Sequence, residues 1–568
     1  MHNFQGIPAS PGIAVGPVFC FQDADLRIDR CTIQDVEAEI QRFEQAVSDA
    51  ATQIAEIKEK ALTEASAEEA AIFDAHALFL QDPALIDAIR TTIREQQFNA
   101  EAAVSDGVEV QASALEAMED EYFSARAADV RDVGQRLLRI LLCVSETDLS
   151  TLKKPSIILA KDLTPSDTVR LDKKLVLGFL TALGGPTSHT AILAKALDLP
   201  AVVGAGDPIL QIEGGATVAI DGSSGEVSTD PDSETQAKYA ERKRVFQEES
   251  EAALSRAHEP AITQDGKTIE IVANVGNPED TQQALDHGAE GIGLLRTEFL
   301  YMERPSAPDE EEQLAAYDTI LDLMEDRPVV VRTLDVGGDK AIPYLDLGEE
   351  ANPFLGWRAI RMTLDEPDFF KIQLRALLRA TPDHDLRIMF PMVATLVELR
   401  DARKLLEESR DEVIKAGHEV AENVQIGIMV EIPSVVVLAD RFAKEVDFFS
   451  IGTNDLTQYT MAAERTNEKV AHLGDACHPA VLRQIQRVIE AAHEEGIWVG
   501  LCGELAGDAD AIPILLGLGL DEFSMAPGSI PRAKDIIRNW DSERAQALVP
   551  TVLDMDTAEE VRRYIRNQ

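Results

Sequence analysis

Residues 424–430, Val-Gln-Ile-Gly-Ile-Met-Val, form a short apolar run that ends directly before an acidic residue, Glu431. Similar runs, rich in β-branched residues, recur after residue 260 with helical segments between them. They lie at 269–275, 291–295, 328–333, 386–391, 424–430, 446–451, 497–502 and 520–525. Strands that alternate with helices favour a parallel sheet, and eight such units in about 300 residues predict a (β/α)8, or TIM, barrel.

The chain before the barrel contains two kinds of sequence. Short apolar runs bounded by Gly and Pro lie near the N-terminus and again between residues 156 and 222, whereas the intervening stretch is rich in Ala, Glu and Gln with apolar residues at helical spacing. We therefore predict an α/β domain formed by 1–28 and 146–229, with 29–145 inserted as a helical bundle. Residues 230–260 are highly charged and end in Pro260, which predicts a linker helix before the barrel at 261–568.

The charge balance excludes several classes of function. The 568 residues contain 53 Lys and Arg against 101 Asp and Glu, giving a formal net charge of -48. Such a chain repels the phosphate backbone of nucleic acids and the surface of anionic membranes. Because molar salt shortens the Debye length to about 3 Å, we interpret the acidity as a halophilic surface adaptation. Steering of a basic partner is the alternative.

Cysteine usage and the N-terminal sequence bear on location. The five cysteines form no Cys-x-x-Cys pair and are odd in number, so they indicate neither a disulfide framework nor a zinc site. The first residues lack the pattern of a signal peptide, and no apolar stretch approaches the length of a membrane span. We expect a cytoplasmic protein with no membrane insertion.

The predicted barrel places chemically active residues at one rim, since barrel active sites lie at the C-terminal ends of the strands. Those ends and the adjoining loops carry Arg296, Arg332, Lys340, Arg358, Glu431, Asn454, Asp455, Arg465 and Cys502. Guanidinium groups bind phosphate oxygens bidentately, and single carboxylates complemented by substrate oxygens are typical Mg²⁺ ligands. An arginine taken alone more often makes a rim salt bridge, but the joint placement favours a phosphate and metal site.

A second candidate centre is the segment Gly-Gly-Pro-Thr-Ser-His-Thr-Ala-Ile at 184–192. His189 precedes an apolar helix, and the N–H groups at a helix N-terminus favour an anion such as a phosphoryl group. Histidine can act as a covalent nucleophile. From these residues alone, a capping or packing histidine is an equally good interpretation.

Several motifs together resemble one family, Enzyme I of the sugar phosphotransferase system, the phosphoenolpyruvate-protein phosphotransferases. Besides the histidine segment, they are Leu-Leu-Arg-Thr-Glu-Phe-Leu-Tyr-Met (294–302), Arg-Thr-Leu-Asp-Val-Gly-Gly-Asp-Lys (332–340), Asn-Pro-Phe-Leu-Gly-Trp-Arg (352–358), Gly-Thr-Asn-Asp-Leu-Thr-Gln-Tyr (452–459) and Cys-Gly-Glu-Leu-Ala-Gly-Asp (502–508). The resemblance covers essentially the whole chain.

The resemblance implies a phosphoryl relay. His189 would take the phosphoryl group of phosphoenolpyruvate, release pyruvate and pass the group to a histidine of the phosphocarrier HPr, which docks on the helical subdomain. Glu431 and Asp455 would hold Mg²⁺, Cys502 would donate a proton to the methylene carbon, and Thr168 would support His189. The substrate would be held by Arg296, Arg332, Lys340, Arg358, Asn454, Asp455 and Arg465. The family dimerises through its barrel, which implies a homodimer.

Two other hypotheses stay open at this point. A relative of pyruvate phosphate dikinase or phosphoenolpyruvate synthase would need a nucleotide-binding domain, for which the sequence offers no Gly-rich phosphate loop. A regulatory protein that senses phosphoenolpyruvate without turnover would not need both Cys502 and His189.

Overall fold

The computed structural model has two units, Met1–Phe246 and Gln247–Gln568. The described residues are 2–21, 28, 30–64, 79–80, 83–116, 121–142, 149, 152–163, 171, 173–185, 188–197, 199–302, 304, 306–337, 342, 344, 350, 352–465, 467 and 470–568.

The first unit contains a mixed sheet. Its described strands are β1 (His2–Gln5), β2 (Ile7–Ser10), β3 (Ile13–Phe21), β4 (Ser156–Ala160), β5 (Val176–Thr181), β6 (Ala201–Val203), β7 (Thr217–Asp221) and β8 (Glu226–Thr229). Their order is β1-β8-β7-β3-β4-β5-β6-β2. Strands β3 to β6 are mutually parallel, and the others pair antiparallel. Apolar clusters cover both faces, which explains the unbroken apolar runs of the central strands.

Helices are inserted between β3 and β4, as the change in composition predicted. Those described are α1 (Val36–Glu64), α2 (Pro83–Gln96), α3 (Ala100–Glu116) and α4 (Glu121–Leu142). Each helix contributes apolar residues from one face, and together these residues form a separate buried core. Phe43 of α1, Ile89 of α2 and Val104 of α3 belong to it. Further along the described residues lie α5 (His189–Ala196), which packs on the sheet, and α6 (Ser233–Ser255) in the predicted linker.

The second unit is a closed parallel barrel, so the predicted fold class is confirmed. Its strands are β10 (Thr268–Val275), β11 (Ile292–Leu295), β12 (Val329–Arg332), β13 (Leu386–Phe390), β14 (Ile426–Val430), β15 (Phe448–Ile451), β16 (Trp498–Leu501) and β17 (Glu522–Met525), preceded by the short β9 (Ala261–Ile262). Pairing of β10 with both β11 and β17 closes the ring. Leu294, Val330, Met389 and Met429 fill its interior.

Helices surround the barrel and complete its core. They are α7 (Pro278–Asp286), α8 (Glu310–Met324), α9 (Ile360–Asp365), α10 (Pro367–Arg379), α11 (Leu396–Lys415), α12 (Pro433–Val437), α13 (Ala439–Phe442), α14 (Thr453–Met461), α15 (Pro479–Glu495), α16 (Ile512–Leu518), α17 (Ile530–Arg538), α18 (Ser542–Leu553) and α19 (Ala558–Ile565). Among the described residues, no helix is both long enough and apolar enough to span a lipid bilayer.

The residues after α6 are bound to the barrel by a buried lysine. The Nζ of Lys534, on α17, donates to the carbonyl oxygens of Ala257 at 3.0 Å and Gly288 at 2.7 Å, and to Oε1 of Glu290 at 2.9 Å. Together with a longer contact to the carbonyl oxygen of Glu259 at 3.4 Å, these contacts satisfy the three donors of the ammonium group, which accounts for its burial.

Candidate active site

The C-terminal ends of the barrel strands lie level with one another, and this register assembles the site. Val430 is paired with Ile451, and Ile451 with Leu501, across β14, β15 and β16. Glu431, Gly452 and Cys502 are the next residues and therefore emerge at the same rim. Arg332 ends β12 on this rim and pairs with Met389 of β13.

A buried pair of carboxylates holds Arg358, whose side chain is 1% exposed. Asp335 accepts from Nε at 2.9 Å and from Nη2 at 3.0 Å. Asp455 accepts from Nη1 at 3.1 Å and from Nη2 at 3.3 Å. Burial would lower the pKa of Arg358, but the two carboxylates outweigh it and raise that pKa. The guanidinium is thus fixed in orientation and permanently charged.

Arg332 shares one of these partners. Its Nη2 donates to Oε1 of Glu298 at 2.6 Å, and its Nη1 lies 3.0 Å from Oδ2 of Asp335. Burial would lower the pKa of Arg332, but Glu298 and Asp335 raise it. Its buried Nε has no hydrogen-bond partner in the part of the chain that the structure describes, so one donor is available for an anionic ligand.

Glu431 lies in the same buried group of charges. Its Oε1 accepts from the backbone N–H of Met392 at 2.6 Å. Burial, together with the charges of Asp455 and Asp335, raises the pKa of Glu431 to about 8 against the opposing effect of Arg358 and Arg332. The surplus negative charge here fits a divalent cation, which would favour the ionised carboxylate.

The ligand set that this chain supplies for such a cation is small. Among the described residues, no three His, Cys, Asp or Glu side chains come together as a metal-ligand group. The carboxylates of Glu431 and Asp455 are donors of the kind that Mg²⁺ combines with substrate oxygens and water.

Cys502 is a buried residue on the same rim. The residue is 5% exposed, and its Sγ lies 3.7 Å from the carbonyl oxygen of Ile451. Burial raises the pKa of the thiol to about 11, although the nearby Ser450 and the charge of Arg332 act in the other direction. Cys502 is therefore protonated at neutral pH and can donate a proton.

Three further predicted residues surround this group. Arg296 directly follows β11, is exposed and donates its backbone N–H to Val275 at 3.0 Å. Oδ1 of Asn454 accepts from the backbone N–H of Glu504 at 3.3 Å. Nη1 of Arg465 lies 3.9 Å from Oδ2 of Asp455, and its guanidinium stands 5.5 Å from the ring centroid of Phe354.

For three other predicted site residues, the structure describes the backbone alone or nothing. His189 is the first residue of α5, and Ser188 caps that helix by accepting from the backbone N–H of Ala191. The His189 side chain, Lys340 and Thr168 are outside the described residues. Their assigned roles stay predictions.

The acidic partners of the arginines were not predicted from the sequence. Both acids occur in the motifs quoted above. Glu298 is two residues after Arg296, and Asp335 is three residues after Arg332. Behind them, Nε2 of Gln373 donates to Thr297 at 3.2 Å, and Thr297 donates to the carbonyl oxygen of Arg332 at 3.0 Å. A buried arginine requires an acidic partner. The predicted position of the arginines at the barrel rim was therefore the signal that could have predicted nearby carboxylates.

Comparison with known proteins shows the family of the chain. Residues 250–542 match the family described as PEP-utilising enzyme, PEP-binding domain; residues 5–126 match its N-terminal domain and residues 152–225 its mobile domain. A phosphoenolpyruvate-protein phosphotransferase of Bacillus subtilis is 47% identical over 566 residues, covering 100% of this chain and 99% of the relative. That of Geobacillus stearothermophilus is 49% identical, covering 99% and 98%. A solution structure of an Enzyme I protein is 41% identical, covers 43% of this chain and 99% of its own, and has a TM-score of 0.40.

The barrel, its charged rim and the three matching domains define a phosphoenolpyruvate-utilising enzyme. More narrowly, the chain belongs to the phosphoenolpyruvate-protein phosphotransferase family, and it is a transferase. The resemblance noted in the sequence is confirmed.

Proposed function

We propose that the barrel binds phosphoenolpyruvate at its C-terminal rim, that His189 takes the phosphoryl group, and that HPr receives it as the first step of sugar uptake. The observation that carries the proposal is the convergence of Arg332, Arg358, Glu431, Asp455 and Cys502 at one end of the barrel. Phosphoryl transfer mainly requires positioning and charge stabilisation, and fixed guanidinium groups supply both. Arg296, Lys340, Asn454 and Arg465 complete the proposed substrate site.

In the proposed reaction a ring nitrogen of His189 forms a bond to phosphorus while the bond from phosphorus to the enol oxygen breaks. The released enolate of pyruvate takes the Cys502 proton on its methylene carbon, which leaves pyruvate and a thiolate that regains a proton from water. The protonated state of the buried thiol supports this assignment.

Glu431 and Asp455 are the proposed holders of Mg²⁺. When bound, the ion would neutralise charge on the phosphoryl and carboxylate oxygens of the substrate. The chain's own part is to keep Glu431 in place through the N–H of Met392 and Asp455 through Arg358.

The steps of the proposed reaction fall to different domains of the chain. Residues 1–28 and 146–229 would form the phosphohistidine domain, 29–145 the HPr-binding subdomain, 230–260 the linker and 261–568 the barrel. The separate apolar core of α1 to α4 supports the division between the first two. Thr168 would support His189.

Three further proposals concern the setting of the enzyme. A homodimer formed through the barrel is supported by exposed apolar side chains there, such as Val397 and Val437. A cytoplasmic location is supported by the free thiols of Cys20, Cys31, Cys477 and Cys502. Halophilic adaptation is supported by the net charge of -48.

The test is intact-mass analysis after incubation with phosphoenolpyruvate and Mg²⁺ in concentrated KCl, with pyruvate measured in parallel. We expect one acid-labile phosphoryl group per chain, matched by pyruvate, and transfer to added HPr. His189→Ala should abolish the label, whereas His418→Ala, at an exposed histidine of the barrel, should retain it. An unlabelled chain that still binds phosphoenolpyruvate would instead be a sensor, and label on His189→Ala would disprove the assigned acceptor.

A further inference from the structure

One arginine of the C-terminal helix α19 joins two loops at the catalytic end of the barrel. Val561 and Ile565 anchor α19 in the barrel core, and Arg562 lies between them in sequence. Its guanidinium contacts Asp475, which precedes α15, together with Asp508 and Asp510, which follow Cys502 along the chain.

The contacts of Arg562 are directional. Nε and Nη2 bind the carboxylate of Asp475 bidentately, at 2.7 and 2.9 Å, while Nη1 donates to Oδ2 of Asp508 at 2.7 Å. Burial would raise the pKa of Asp475, but hydrogen bonds from Arg562 outweigh it and lower that pKa. Bidentate, charge-assisted contacts of this kind fix both distance and orientation.

The loop that Arg562 holds is the one that carries Cys502. Gly503 is so close to Thr453 that an added Cβ would lie 1.8 Å from the Thr453 hydroxyl oxygen, and Asn454 accepts from the N–H of Glu504. The loop is thus in contact with the neighbouring loop at its inner end and bound to Arg562 at its outer end. Asp508 closes the motif Cys-Gly-Glu-Leu-Ala-Gly-Asp, and its carbonyl oxygen accepts the N–H of Ala511 at 2.9 Å.

We propose that Arg562 is a positioning residue for Cys502. By joining Asp508 to Asp475 it fixes the loop after β16, and this fixes the direction of the thiol at the start of that loop. The inference rests on the proposed function, in which Cys502 protonates the enolate. It also gives a role to Asp508, the aspartate that ends the motif.

A purely structural ion pair would make a different prediction from a positioning residue. Loss of folded protein would reduce the number of active chains and leave the chemistry of each chain unchanged. A misplaced thiol would slow proton transfer itself, so the solvent deuterium isotope effect on pyruvate formation would rise. Because misplacement by about 1 Å can slow a reaction up to a hundredfold, even a modest shift is measurable.

The experiment compares Arg562→Gln, Arg562→Lys and Asp508→Asn in pyruvate formation, with rates expressed per chain that can be phosphorylated. The control is Arg563→Gln, because Arg563 is the next residue, is 64% exposed and forms an ion pair within α19, with Glu559. We expect Arg562→Gln and Asp508→Asn to lower kcat about tenfold and to raise the isotope effect. Arg562→Lys should recover part of the rate, and the control should match the unmodified chain.

A double variant completes the test. If Arg562 acts through Asp508, the combined substitutions should lower kcat no more than either alone. Unchanged kcat and isotope effect in Arg562→Gln would overturn the inference, as would a loss of rate with an unchanged isotope effect. Cys502→Ala separates the two proposals: if it forms pyruvate at the normal rate, the proposed proton donor itself is wrong.

Discussion

Asp335 accepts two hydrogen bonds from Arg358, at Nε and Nη2, over distances of 2.9 and 3.0 Å. The same carboxylate lies 3.0 Å from Nη1 of Arg332. One acidic residue therefore sets the spacing of two arginines that we assign to substrate binding.

Replacement of Asp335 by Asn should reduce activity and stability together. Both arginines would lose the charge that orients them, so we expect kcat/KM for phosphoenolpyruvate to fall at least about 100-fold. Removal of one partner from a buried ion pair also destabilises a protein by about 3–5 kcal/mol. Pyruvate release and urea unfolding measure the two effects, with Asp322→Asn on the surface of α8 as the control. Normal kcat/KM in Asp335→Asn would contradict this account of the site.

The acid form of Cys502 should persist across the ordinary assay range. Because burial raises the pKa of its thiol to about 11, the proton donor is not lost between pH 7 and pH 9. We expect Cys502→Ala to form pyruvate about 100-fold more slowly at every pH in this range. The check is a pH profile of kcat/KM for both proteins. A decline of the unmodified enzyme near pH 8.5, the usual pKa of a thiol, that disappears in the variant would show an unshifted thiol.

Glu522, at the opposite end of the barrel from the rim, should make stability depend on pH. Burial first, and then the charge of Glu270, raises its pKa from 4.5 to about 8. Between those values the folded chain keeps a proton that the unfolded chain has released, so the free energy of unfolding falls as pH rises. Below this window both states are protonated, and above it both are ionised.

Glu522→Gln removes that ionisation while keeping the shape of the side chain. We expect the Tm of Glu522→Gln to exceed that of the unmodified protein by more at pH 8 than at pH 5. Calorimetry at both pH values, with exposed Glu407→Gln as the matched control, gives the comparison. A difference that is constant or shrinks with rising pH would be inconsistent with a raised pKa.

Salt should stabilise the chain. With a net charge of -48, self-repulsion opposes folding, and it weakens as the Debye length falls from about 10 Å at 0.1 M to about 3 Å at 1 M salt. We expect Tm and enzymatic activity to increase with KCl through this range. The relative from Bacillus subtilis, measured in the same series, is the reference protein. Equal Tm values at 0.1 M and 1 M would argue against halophilic adaptation.

The fold was predictable because strands of a parallel barrel are buried on both faces. Their apolar runs are therefore unbroken, and 291–295 in the sequence became Ile292–Leu295 in the structure. The ends of those runs located Arg332, Glu431 and Cys502 in the same way.

The pairing of the charges was not predictable. Nothing along the chain indicates that Asp335 contacts both Arg332 and Arg358, or that Arg562 reaches Asp508. These contacts depend on which loops lie side by side once the barrel closes. Gln373, 76 residues from Thr297, is a further example of a partner that only the tertiary fold selects.

The contacts of Lys534 have a consequence for dividing the chain. The carbonyl oxygen of Ala257 belongs to a segment continuous with α6, yet its hydrogen bond comes from the barrel helix α17. A barrel fragment begun at Gln247 would keep this bond, whereas one begun at Ala261 would leave a buried ammonium group without one of its three close acceptors. The shorter fragment should express poorly or precipitate, so a stable barrel fragment has to begin before Ala257, several residues ahead of the first barrel strand.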